Sequence, residues 1–328
     1  MSKLSNVSCY VTEKISVDSI DISEYITTDN LLQNKKGRVI AEKLPTQKVT
    51  RFKKNDILIA NIRPYLKKIW QADIDGGASS DVLVVRPNDV IDNNFLYYAL
   101  TQDSFFEYVM KGSKGTKMPR GDKSQIMDFV IPNLEIDEQI KIGKLLKSID
   151  QKIQINNQIN QELEAMAKTL YDYWFVQFDF PDQNGKPYKS SGGKMVYHPE
   201  LKREIPEGWG VESVGNLLDK VTKAEKIENN SIEFIGEIPV IDQSQKYIAG
   251  FTNNEKALLQ PQDGHVIFGD HTRVVKYINF DYARGADGTQ VLISNNENIS
   301  NVLLYHMIED FDLSNYGYAR HFKFLKEK

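Results

Sequence analysis

Apolar residues follow two rhythms along this chain of 328 residues. Short β-rich runs, Asp56-Ile57-Leu58-Ile59-Ala60 and Val82-Leu83-Val84-Val85, are punctuated by Gly76-Gly77 and Pro87-Asn88, with a helical stretch near 95–109. Residues 1–132 therefore read as an α+β module. Beyond Pro132 the rhythm changes. Ile142, Leu145, Ile149, Ile153, Ile159, Leu163, Met166 and Leu170 recur three and four apart, one face of a helix that meets no Pro and only Gly143 before about residue 177. Asn133 is the expected N-cap, with Glu135, Asp137 and Glu138 in the first turn, where the helix dipole favours acids. About 40 residues rising roughly 1.5 Å each make a rod of about 60 Å. Its apolar stripe needs a partner, and Asn156, Asn157 and Asn160 along the seam would fix register and partner number. The stripe residues and Asn156 are the expected subunit interface. The run from Trp174 to Pro181 closes the helix, residues 181–204 read as an exposed connector rich in Gly, Ser and Lys, and Ile205-Pro206-Glu207-Gly208-Trp209 opens a last module, 205–328.

That last module repeats the first. Residues 56–83, DILIANIRPYLKKIWQADIDGGASSDVL, align without gaps onto 265–292, HVIFGDHTRVVKYINFDYARGADGTQVL, and Arg120 and Lys123 answer Arg320 and Lys323. Two copies about 200 residues apart are homologous modules on a spacer, suited to a ligand with two separated sites.

Charge separates the copies. Residues 31–130 hold 17 Lys plus Arg against 11 Asp plus Glu, whereas 204–328 hold 12 against 19. The first module is equipped to follow phosphates, and the second needs local basic patches or a partner's charge. A single cysteine, Cys9, excludes an internal disulfide framework and a multi-thiolate metal site. With no apolar run of membrane length and no signal-peptide core near residue 1, the expected location is the cytoplasm.

Several segments resemble the specificity subunit of type I restriction-modification systems. They are NIRPYLKKIW, GGASSDVLVVRP and GSKGTKMPRGDK in the first module, and IPVIDQSQ, FGDHTRVVKYI, GADGTQVL and GYARHFKFLKE in the second. Between them, NLEIDEQIKIGKLLKSIDQKIQINNQIN, WFVQFDFP, PYKSSGGKM and IPEGW resemble the family's central conserved helix and its exit. The resemblance implies an α+β fold of two homologous target-recognition domains separated by a long coiled-coil-type helix at 133–180. It implies a non-catalytic reader of a bipartite site in double-stranded DNA, docked to modification (methyltransferase) subunits and to restriction/translocase subunits. S-adenosylmethionine, ATP and Mg²⁺ would be held by those partners, with no cofactor in this chain. The family's distal conserved helix is not found before Lys328, so a homodimer through the central helix is one expected arrangement. The competing expectation is a truncated scaffold that docks methyltransferase subunits or self-associates without engaging DNA.

Catalytic patterns are sparse. No S-adenosylmethionine loop, dinucleotide loop or phosphate loop is written here, and His198, His265, His271, His306 and His321 lack ligand spacing. Pro181-Asp182 with Glu200-Leu201-Lys202 fits a loose PD…ExK nuclease pattern, but these residues flank a Gly/Ser connector rather than adjacent strands.

DNA contacts need cations for phosphates and paired donors or acceptors for base edges. In the first module Lys67, Lys68, Lys114, Lys117 and Lys123 are expected at phosphates, in loops where glycine lets the backbone approach, and Thr116 is a further candidate contact. Asn61, Arg63, Ser79, Ser80, Asp81 and Arg120 are candidates for base edges. Their partners are Asp270, Thr272, Gly288, Thr289 and Gln290 by the ungapped alignment and Arg320 by the later match, with His271, Arg273, Asp287, His321 and Lys323 beside them. For each, the bland alternative is a solvated turn or a strand-end hydrogen bond. Tyr97, Tyr98 and Tyr305 are assigned to core helices.

Overall fold

A computed structural model describes the whole chain except residues 220, 222–223, 287 and 314–319. The chain forms two compact units, Met1–Ile159 and Asn160–Lys328. Each is built around two four-stranded sheets. In the first unit, one sheet has the order Ser8–Tyr10, Val82–Pro87, Ile57–Ala60, Ile69–Gln71, all antiparallel. The other has the order Lys14–Ile15, Val49–Phe52, Gly76–Ala78, Tyr25–Ile26.

The apolar run 57–60 is continuous because both its faces are covered. Ile57 and Ile59 join Leu83 and Val85 against Leu96, Phe105 and Phe106 of the helices Asn93–Leu100 and Asp103–Lys111. Leu58 and Ala60 turn the other way, onto Phe52, Trp70 and Ala78. The second unit repeats this division. Its strand His265–Gly269 places Val266 and Phe268 against Leu304, Ile308 and Leu325, and Ile267 against Ile241, Leu259 and Tyr282.

Strand pairing overturns the ungapped alignment. Ile59 faces Ile69 across the first hairpin, whereas Phe268 faces Val275 across the second, so the turn between is three residues shorter in the second unit. On the other side, Ile57 pairs with Val85 and Val266 with Leu292. The register gives Asp81 the counterpart Gly288 and Val82 the counterpart Thr289. Gln290 falls opposite Phe268, one pair further in than Thr289, and is not the partner of Asp81.

The long helix spans Ile136–Tyr171 and passes through a π turn at Asp172–Val176. It starts later than Asn133: the Glu135 carbonyl accepts the N–H groups of Glu138 and Gln139. Its contacts with the first unit do not use the apolar stripe. Gln139 accepts the Asp92 N–H and donates to the Leu134 carbonyl, Lys147 reaches Asn94, and Tyr98 donates to Asp150 at 2.8 Å. Gly143 lies between them, where an added Cβ would sit 2.5 Å from Asp92 Oδ1 and 2.9 Å from the Phe95 nitrogen. Within the second unit, Lys168 pairs with Asp310 and Tyr171 stacks on His306 of the helix Asn301–Glu309. The stripe itself is open, with Leu145, Leu163 and Met166 at 57 to 67% exposure.

Residues 181–204 are mostly exposed and folded. Met195–His198 pairs with Arg203–Pro206, and Phe180 stacks between Tyr188 and Trp209 with ring centroids 4.8 and 5.2 Å away. Asp182 spends its carboxylate on the N–H groups of Asn184 and Lys186, while Glu200 and Lys202 sit in the hairpin connection. Among the described residues no cluster of three or more His, Cys, Asp or Glu forms a metal site, and no helix is long and apolar enough to cross a membrane.

Candidate nucleic-acid interface

In the first unit three separate segments are laced into one rim by main-chain bonds. The Asn61 N–H donates to the Asp81 carbonyl, the Gly121 N–H to the Asn61 carbonyl, and the Arg63 N–H to the Pro119 carbonyl. Lys114 and Arg120 exchange both of their main-chain bonds. The hairpin turn after Ala60, the bend before Val82 and the loop 111–121 therefore converge. Asp122 closes the loop as N-cap of Lys123–Met127, accepting from Ser124 and Gln125, and these bonds hold its carboxyl below the usual range.

The candidate side chains divide by what already holds them. Lys67 shares Asp103 with Lys35, and Lys68 donates to the Thr28 carbonyl, so both brace the turn. Arg120 Nη2 lies 3.2 Å from Asp81 Oδ1, and Lys114 Nζ lies 3.7 Å from Asp122. Ser79 is half-buried, its N–H on the Ile26 carbonyl, while Ser80 is exposed. Arg63, Thr116, Lys117 and Lys123 are exposed with no side-chain partner among the described residues. Arg63 and Lys67 adopt left-handed φ of 53° and 51° on either side of the tight turn Pro64–Leu66.

The second unit is laced in the same way. The Asp270 N–H donates to the Gly288 carbonyl, and the Asp270 carbonyl accepts from the His321 N–H. Here the side chain adds a bond: Asp270, only 5% exposed, accepts the Phe322 N–H at the start of His321–Lys326. His321 is buried, its Nδ1 2.9 Å from the Asp270 carbonyl, and Thr289 is buried too. Asp270 and His321 brace the rim, and Thr289 is buried in its strand with its hydroxyl unpartnered among the described residues, so neither Asp270 nor Thr289 is an open base-edge contact here. His271, Arg273, Arg320 and Lys323 remain exposed, Gln290 is half-buried, and Asp287 lies outside the described residues.

The loop 242–246 belongs to this rim and was missed. Gln243 accepts the His271 N–H with its side chain and the Thr272 hydroxyl with its carbonyl. Lys276, 4% exposed, holds the loop by donating to the Asp242 and Lys246 carbonyls at 2.7 and 2.6 Å, and burial pulls its pKa down. The signal was available: Lys276 alternates with Ile278 on the inward face of a strand, so its ammonium had to find carbonyls nearby.

Residues 11–165 match the model of the type I restriction modification DNA specificity domain. That match is confined to the first unit and the start of the second, just under half of the chain. The chain is similar to the MjaIX specificity subunit of Methanocaldococcus jannaschii, 31% identical over 150 residues, 46% of this chain and 32% of that one. It is similar also to the HindI specificity subunit of Haemophilus influenzae, 29% identical over 209 residues, 60% of this chain and 45% of that one. The chain thus spans less than half the length of these curated relatives. The crystal structure of a type I restriction-modification S subunit from M. genitalium shares the fold, with a TM-score of 0.56 at 16% identity over 94% of this chain and 75% of that one.

Proposed function

We propose that this chain is the DNA-reading subunit of a type I restriction-modification assembly and performs no chemistry itself. Residues 1–132 and 205–328 each read one half of a bipartite target, and the long helix carries modification subunits on its apolar stripe. S-adenosylmethionine, ATP and Mg²⁺ belong to the partner subunits, and restriction/translocase subunits join through them. Self-association through the same stripe is the alternative use of that face.

The observation that carries this reading is the repeated lacing of the rim. In both units the residue after the central strand ties the bend before the next long strand to the start of a short helix, and exposed cations crown the result. Arg63, Lys117 and Lys123 offer phosphate and base donors in the first unit, and His271, Arg273, Arg320 and Lys323 in the second.

Methylome sequencing of cells expressing the chain with its cognate modification subunits tests the reading. A bipartite motif with methylated adenine is expected, and exchange of residues 1–132 for those of another reader should alter one half alone. A methylome identical with and without the chain, or a motif altered in both halves by the exchange, overturns it.

A further inference from the structure

We infer that Asp81 is a positioning residue that aims Arg120 at a guanine in the half-site read by the first unit, an inference that rests on the DNA-reading function proposed above. Asp81 contributes to the rim twice. Its carbonyl takes the Asn61 N–H at 2.8 Å, which fixes its place whatever its side chain does. Its carboxylate then stands 3.2 Å from Arg120 Nη2, with the two side chains 36 and 58% exposed.

An ion pair this exposed adds little to stability. A carboxylate on this rim also opposes a phosphate backbone, so it weakens the rim's general attraction for DNA. What it does supply is direction. Arg120 is bonded through its main chain to Lys114 and held opposite Ile62 by the flanking Arg63–Pro119 and Gly121–Asn61 bonds, while the Asp81 carboxylate pairs with the far end of its side chain, which stays largely exposed. An arginine fork held at both ends is prepared for the O6 and N7 acceptors of guanine, the commonest specific arginine contact in the major groove.

Among the described residues the second unit shows no such pair. The counterpart of Asp81 is Gly288, at φ +76°, where an added Cβ would meet the Gln243 amide at 2.6 Å. Arg320, the counterpart of Arg120, has no carboxylate partner among the described residues. The first unit's half-site is therefore the one on which substitutions of Asp81 should act, and the second half serves as an internal control.

The test selects bound sequences from a fully randomised DNA duplex library with the full-length chain, wild type against Asp81→Asn and Asp81→Ala, and measures each protein's affinity for the unselected library at one salt concentration. Wild type should enrich a guanine at one position of the first half-site. Both variants should lose that preference by about tenfold or more, keep every preference in the second half, and bind the unselected library as tightly or more tightly. Arg120→Lys, which keeps the charge but not the fork, should lose the same preference. Retention of the guanine preference in Asp81→Asn, or an equal weakening on selected and unselected DNA, overturns the inference and leaves the DNA-reading function intact. Failure of wild type to enrich any sequence overturns the function, and with it this role.

Discussion

At matched places in their central strands the two units bury different chemistry. Asp56 in the first unit is 2% exposed, grips Arg86 through two bonds of 2.8 and 2.6 Å and accepts the Lys53 N–H. His265 stands there in the second, its Nδ1 3.0 Å from the hydroxyl of the fully buried Tyr282, and burial lowers its pKa. One copy anchors the strand start with a charge pair that must stay complete, the other with a neutral ring that must stay unprotonated. The duplication conserves where a polar group is buried and leaves open how it is satisfied.

The widest gap between the units should come from Asp56→Ala, which strands Arg86 and is expected to cost about 3 kcal/mol. Hydrogen exchange under mild urea should show 57–60 opening and 265–269 unchanged. Equal protection in both strands would erase the distinction between the anchors. Next comes Gly143→Leu, where a side chain would collide with Asp92 and the Phe95 backbone and is expected to cost about 1 to 3 kcal/mol. Exchange should rise along 139–150, whereas the contacts of Lys168 and Tyr171 in the second unit stay protected. A smaller effect sharpens the pair Asn61 and Asp270. Asp270→Ala removes the acceptor of the Phe322 N–H and should cost about 1 kcal/mol. Asn61→Ala should cost less, because Asn61 Oδ1 is buried without a donor. Equal melting shifts would contradict the difference in bonding.

The smallest effect is that of pH. The folded state holds the His265 pKa below its ordinary 6.5, so the unfolded chain takes the proton first. The stability His265 provides is complete above pH 6.5 and declines as pH falls below that value. Residues 1–159 contain no histidine, so the loss should be confined to the second unit and should vanish in His265→Gln. A decline of equal size in that variant would trace the sensitivity elsewhere.

Much of this architecture is legible in the sequence. The repeat, the α+β class and the long helix follow from periodicity, because a run such as Ile57-Leu58-Ile59-Ala60 and the spacing of Ile142 to Leu170 each admit few folds. The three-residue step between the copies is hidden because the Gly-Ala bends and Val-Leu runs match best without a gap, while hydrogen-bonded pairing answers to turn length. Gly143 reads as a flaw in a helix until Asp92 and Phe95 are seen against it. Within the rim, residue type marks charge but not commitment. Lys67 and Lys117 look alike in the sequence, and only Asp103 beside one of them shows which is already engaged. Gln243 is distant in sequence from the hairpin turn it supports, and no local pattern joins them.

Gly288 also restricts how this protein is able to evolve. A left-handed backbone with the Gln243 amide 2.6 Å from an added Cβ makes any side chain there strained and forces Gln243 to move, so a carboxylate like Asp81 is harder to gain in the second unit. Heritable change there is channelled to His271, Arg273, Arg320 and Lys323 at the open surface, while the first unit remains free to gain or lose an acid at its bend. The two halves of the molecule started as copies, yet a drifting lineage would explore new targets through them by unequal routes.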